Sequence, residues 1–130
     1  MNPGASPCMY SGVLRTMQTL AASLPIRVLE PGQVLFAAGE NGGSVYCLLN
    51  GEIELSWGEA PPEVFGPGDV LGVGALVEQQ HKRHGTASAR VATEVIEMDR
   101  EHFLFAVQEM PMFALELMAS LEGRLRHLEQ

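Results

Sequence analysis

Between Arg27 and Met98 the apolar positions come in short runs, and most runs end in glycine, proline or asparagine. RVLE is followed by the turn Pro31-Gly32 and then by QVLF, and AAGENGG reads as a loop. SVYCLL leads into Asn50-Gly51, a pair that favours a type I′ hairpin because both central residues tolerate positive φ. EIELSW alternates with period two, placing Ile53, Leu55 and Trp57 on one face and Glu52, Glu54 and Ser56 on the other. GEAPP turns again, EVF is followed by the turn Gly66-Pro67-Gly68-Asp69, and TASARV and EVIEM supply two further strands. Eleven of the 14 glycines fall between Gly32 and Gly85, punctuating these short β-rich runs. Many short strands with regular turns predict a β-sandwich, jelly roll or roll.

The period changes on either side. Residues 1–10 read as a flexible tail rich in Pro, Gly and Ser, with Met1 and Met9 both possible starts. Over residues 11–23, Val13, Leu14, Met17, Leu20 and Ala21 recur at helical spacing, and Pro25 stops the pattern. Arg100 to Gln108 reads as a helix with Asp99 as its N-cap. Pro111 stands near the start of a second, on which Ala114, Met118, Leu121, Leu125 and Leu128 alternate three and four residues apart. That stripe fits either packing onto the same domain or the seam of a dimer.

At 130 residues the chain suits one domain, residues 11–130, behind its tail. Eight Lys and Arg against 16 Asp and Glu give a net charge of −8. That argues against a nucleic-acid surface, which needs a positive stripe, and against adhesion to an anionic membrane. No apolar run approaches the ~18 residues of a membrane span, and the N-terminus lacks the basic start and apolar core of a signal peptide, so a cytoplasmic location is expected. Cys8 and Cys47 form neither a disulfide framework nor a zinc pattern, and Cys47 in its apolar strand reads as a small core hydrophobe.

Charge is distributed unevenly along the chain. No Lys or Arg occurs between Val28 and His81, whereas eight acids do. The run then reverses sign at His81, Lys82, Arg83 and His84. A solvated basic loop is one explanation. An anion site is the other, since an arginine fork matches a phosphate and the backbone N–H groups of Gly72 to Ala75 would add dipolar attraction. Such a site suits a small anion rather than a polymer. Metal binding is disfavoured, because Lys82 and Arg83 separate the two histidines, and no metal or cofactor is required. No serine stands in a G-x-S-x-G elbow, and nothing else offers a constellation for turnover, so no enzyme activity is expected.

These residues together resemble the cyclic-nucleotide-binding domain, the sensory domain of the catabolite-activator type of regulator. The resemblance runs over about residues 27–129, through LEPGQVLFAAGENGGSVYCLLNGEIEL, VFGPGDVLGVGALV, KRHGTASA, IEMDREHF and the Pro111 helix. It implies an eight-stranded antiparallel β-roll, mainly β with a short N-terminal helix and two C-terminal ones. It also implies a phosphate cassette running from Gly72, Val73, Gly74 and Ala75 to Arg83, His84 and Gly85. In that cassette Arg83 matches the arginine that pairs with a cyclic phosphate, and Gly72 and Ala75 match the backbone donors. His84 stands where the family has a hydroxyl and Gly85 where it has alanine.

Val73 is the main departure, for it replaces the glutamate that accepts a hydrogen bond from the ribose 2′-hydroxyl. Losing that acceptor costs on the order of 1.5–3 kcal/mol, roughly ten- to a hundred-fold in affinity, so ordinary cyclic AMP or cyclic GMP is expected to bind weakly. His84 offers partial compensation as a phosphate donor, more so when protonated. The sequence stops at Gln130, about where the family's transcription regulators continue toward a helix-turn-helix, so direct DNA binding is not expected. The resulting expectation is a stand-alone regulatory domain. It would bind a cyclic nucleotide or another small phosphate ligand and signal through its C-terminal helix, either to a partner protein or to a second copy. The alternative is a ligand-free interaction module that kept the fold.

Overall fold

The computed structural model describes residues 24–77 and 82–128. The expected tail, the N-terminal helix over 11–23, Cys8 and His81 lie outside them, as does the side chain of Leu128. Eight strands are present among the described residues: β1 Ile26–Leu29, β2 Val34–Phe36, β3 Ser44–Asn50, β4 Ile53–Ser56, β5 Glu63–Phe65, β6 Val70–Leu71, β7 Thr86–Ala89 and β8 Thr93–Asp99. They are joined by α1 Val73–Val77, α2 Arg100–Glu109 and α3 Pro111–Leu128. The strands make two four-stranded antiparallel sheets, ordered β1-β8-β3-β6 and β2-β7-β4-β5.

Alternation along each strand decides what lies between the sheets. Leu29, Tyr46, Leu48, Leu71 and Val95 from the first sheet meet Leu35, Phe36, Ile53, Leu55, Phe65, Ala87 and Ala89 from the second. The other face of the first sheet, with Val45, Cys47, Val70, Ile96 and Met98, is covered by Leu76, Ala106, Phe113 and Leu117 from the helices. β3 is therefore buried on both faces, and Cys47 is a fully buried core residue, as its apolar strand suggested.

Asn50-Gly51 does not make a hairpin. Gly51 takes the positive φ that its sequence favours, +94°, but β3 pairs with β6 and β8 while β4 pairs with β5 and β7. The turn carries the chain from one sheet to the other. Long-range partners hold it there: the Asn50 amide donates to the Glu94 carboxylate, and Thr93 Oγ1 accepts from Glu52 N at 3.2 Å. Trp57 also departs from the alternation, because β4 ends at Ser56 and the indole is 40% exposed.

The helices follow their local signals. Asp99 caps α2, its Oδ1 accepting from His102 N at 2.9 Å, and Pro111 is the first residue of α3. The chain bends by 113° between the two helices. On α3 the face turned to the core is Phe113 and Leu117, with Leu121 packed against it. Met118 and Leu125, which the sequence placed in the same stripe as Leu121, are 60% and 56% exposed. α3 is apolar on two faces, and spacing alone did not say which one the sheet would take. Among the described residues no single helix is long and apolar enough to cross a membrane.

Candidate functional site

β6 ends at Leu71, and the chain turns sharply at Gly72, whose φ of +88° favours glycine. The turn delivers Val73 to Val77 as the short helix α1, whose Ala75 and Leu76 are buried. Opposite, the segment before β7 is clamped to the loop after β2. Arg83 N donates to Glu40 O at 2.8 Å, and Gly39 N donates to Arg83 O at 2.8 Å. This clamp splits the basic cluster. Lys82 and His84 stay exposed, while the Arg83 side chain turns inward and is 95% buried, with 5% relative exposure.

The Arg83 guanidinium fits between two backbone carbonyls and an aromatic face. Nη1 donates to Gly72 O at 2.8 Å, and Nη2 donates to Ser44 O at 2.8 Å. Cζ lies 4.3 Å from the Phe36 ring centre and 5.6 Å from that of Tyr46. Two glycines make the room. A Cβ on Gly72 would stand 2.6 Å from Nη1, and one on Gly42 would stand 2.5 Å from Cζ. Among the described residues no carboxylate forms an ion pair with this cation, and its buried Nε has no hydrogen-bond partner. Burial pulls the guanidinium below its ordinary pKa and pushes the buried Tyr46 hydroxyl up.

Arg83 lies on the wall of a cavity of about 400 Å³. All seven expected site residues, Gly72, Val73, Gly74, Ala75, Arg83, His84 and Gly85, line this cavity. Gly85 has a steric reason to lack a side chain, since a Cβ there would stand 2.9 Å from Ser56 O and 3.0 Å from Leu55 Cδ1. The sequence reasoning did not find the opposite wall. Phe36, Leu55 and Phe65 come from the strands, Trp57, Glu63 and Asp69 from the strand ends and turns, and Ser120, Leu121, Arg124 and Leu125 from α3.

That wall carries its own arginine. Arg124 donates from Nε to Glu63 Oε2 at 3.2 Å and from Nη2 to Val64 O at 2.7 Å. Its Nη1 is 3.6 Å from Asp69 Oδ2, and Cζ lies 3.8 Å from the Phe65 ring centre. Glu63 accepts in addition from Trp57 Nε1 at 3.1 Å, and Asp69 Oδ2 accepts from Gly66 N at 2.8 Å. α3 is thus strapped to the β4–β5 region across the cavity. Among the described residues no cluster of three or more histidine, cysteine or acidic side chains could hold a metal ion.

A family model described as the cyclic nucleotide-binding domain matches residues 26–110. This chain belongs to the cyclic nucleotide-binding domain family. The cyclic AMP receptor protein of Thermus thermophilus is 28% identical to it over 127 residues, taking in 93% of this chain and 58% of that protein. The chain therefore spans little more than half the length of the curated relatives it matches first. Its fold is also that of the crystal structure of Thermus thermophilus catabolite activator protein, with a TM-score of 0.74 at 24% identity over 95% of this chain and 60% of that one. A structure from a cyclic-GMP-dependent signalling pathway that regulates bacterial phytopathogenesis gives a TM-score of 0.76 at 25% identity, covering 88% and 91% of the two chains.

Proposed function

We propose that this cyclic nucleotide-binding domain is a cytoplasmic, non-catalytic sensor. It binds a small phosphate-bearing ligand in the cavity between the cassette and α3, with Arg83 as the anion anchor. The observation that carries this reading is a buried cation on the wall of a 400 Å³ cavity with no direct ion pair among the described residues, Glu97 and Glu40 acting on it only through space. A buried charge is costly unless it is compensated, and a ligand phosphate would supply the missing negative charge. Gly72, Gly74, Ala75, His84 and Gly85 would shape the rest of the phosphate end. Val73 weakens any ligand that relies on a ribose 2′-hydroxyl. Ligand-linked movement of α3 would pass the signal on, to a partner protein or to a second copy, through its exposed apolar face of Met112, Leu115, Met118 and Leu125.

A second reading, a ligand-free interaction module, is favoured by one feature. Both Nη atoms of Arg83 already donate to carbonyls, so the anchor is largely satisfied by the protein itself.

Thermal melts with cyclic AMP, cyclic GMP, cyclic dinucleotides and inorganic phosphate separate the two. A ligand at 100 times its dissociation constant stabilises the fold by about 2.7 kcal/mol. A shift in the native chain that is lost in Arg83→Lys, which keeps the charge but not the fork, supports the sensor. No shift with any of them, together with a cyclic AMP shift in Val73→Glu, supports the module.

A further inference from the structure

We propose that the ligand of this cavity is a phosphate monoester carried on an apolar, hydroxyl-poor body, and that Val73 and Arg124 together select it against sugar phosphates. The inference rests on the phosphate reading of Arg83 and concerns the other end of the ligand.

A sugar presents hydroxyl groups, each of which must find an acceptor or lose its water uncompensated. The two carboxylates of this cavity already serve donors of the protein itself. Glu63 receives Trp57 Nε1 on one oxygen and Arg124 Nε on the other, at 3.1 and 3.2 Å. Asp69 Oδ2 receives Gly66 N at 2.8 Å and lies 3.6 Å from Arg124 Nη1. Val73, on the cassette wall, has no acceptor to offer. Ser120 and His84 can accept a bond but donate as readily.

The remaining polar side chains of the cassette end, Lys82 and Arg83, are donors only. Around them the wall is apolar, with Phe36, Leu55, Phe65, Leu71 and Leu121 prominent. Donors at one end and apolar surface over the rest match an anion on an apolar body. Arg124 has a specific part in this. By pairing with both carboxylates it competes with ligand hydroxyls for their oxygens.

Three phosphates with matched head groups test this by titration calorimetry on the native chain: phenyl phosphate, ribose 5-phosphate and inorganic phosphate. The single tryptophan, Trp57, lines the cavity, and its emission gives a second readout of occupancy. Phenyl phosphate is expected to bind at least tenfold tighter than either of the others, with a change in Trp57 emission. Val73→Glu and, as a milder change, Val73→Asn restore an acceptor and are expected to narrow that ratio at least tenfold and threefold respectively.

Ribose 5-phosphate binding as tightly as phenyl phosphate in the native chain, with both lost in Arg83→Lys, overturns the inference and leaves the phosphate reading standing. A ratio unmoved by both Val73 variants overturns the selection assigned to that position. Binding of none of the three phosphates overturns the phosphate reading and this inference with it. Phenyl phosphate binding that survives Arg83→Lys does the same, because the apolar body would then be binding without the anchor.

Discussion

Each end of the cavity is held by an arginine lying over an aromatic ring, Arg83 on Phe36 and Arg124 on Phe65. What balances the two charges differs. Arg124 reaches two carboxylates and one carbonyl, and its side chain keeps 25% of its exposure. Arg83 is buried, reaches two carbonyls, and forms no direct ion pair among the described residues, Glu97 and Glu40 acting on it only through space. At the α3 end the cation is paired directly with acids, whereas at the cassette end it is hydrogen-bonded to carbonyls and feels Glu97 and Glu40 only through space. A cation satisfied by its own protein has little use for a ligand anion. A cation held by neutral dipoles still gains from one. The likeness of the two stacked guanidinium groups hides different partners: one fastens a helix through carboxylates, the other holds the cassette turn to β3 through carbonyls.

The largest expected effect breaks the Arg83 end. Arg83→Ala leaves the Gly72 and Ser44 carbonyls without their donor and opens a void beside Phe36. It should cost about 3 kcal/mol of stability, lowering the melting temperature by roughly 10 °C for a chain of this size. Ligand loss in that variant is therefore confounded with damage to the fold, and Arg83→Lys is the better binding test. A melting temperature unchanged in Arg83→Ala would show that the guanidinium does not hold the cassette turn to β3.

A gentler probe acts on the space around the guanidinium. Gly42 has no conformational need for glycine, yet its added Cβ would stand 2.5 Å from Arg83 Cζ and 2.8 Å from the Ala75 Cβ. Gly42→Ala should cost about 1–3 kcal/mol through overpacking. That cost should shrink in the Arg83→Ala background, where the main obstacle is gone, so the two changes are expected to be non-additive in a denaturation cycle. Additive costs would mean that Gly42 and Arg83 do not share that space.

The two ends were not equally legible in the sequence. Arg83, Val73 and Gly72, which line the cavity, were singled out because the order and spacing of their stretch carry the resemblance. Asp99 and Pro111 were found because capping and helix initiation are local chemistry. The Arg124 end was missed because it is assembled from distant parts: Arg124 and Glu63 are 61 residues apart, and neither stands in a pattern that singles it out. Asn50-Gly51 shows the same limit within the strands. Gly51 does take a positive φ, but Asn50 belongs to β3, and which sheet each flanking strand joins is decided by partners far along the chain. Phe113 and Leu117 were overlooked on α3 because a helix with two apolar faces leaves the choice of core face to the sheet beneath it.

The smallest expected effect concerns the Arg124 end and sharpens the contrast in charge balance. A double-mutant cycle of Arg124→Met and Glu63→Gln isolates their coupling from the packing that each change also disturbs. The pair is partly exposed, with side-chain exposures of 25% and 16%. The coupling should therefore stay at or below about 1 kcal/mol. Salt supplies the discriminating condition. At 1 M ionic strength the screening length falls to about 3 Å, so the Arg124–Glu63 coupling should fall by roughly half or more. The cost of Arg83→Ala, which arises from bonds to buried carbonyls and from a lost contact with Phe36, should change little. Trp57 emission follows the first effect directly, because its indole donates to the same Glu63 carboxylate. Equal salt sensitivity at the two ends would mean that Arg83 is also balanced by an acid, and would remove the reason for assigning the ligand anion to the cassette end.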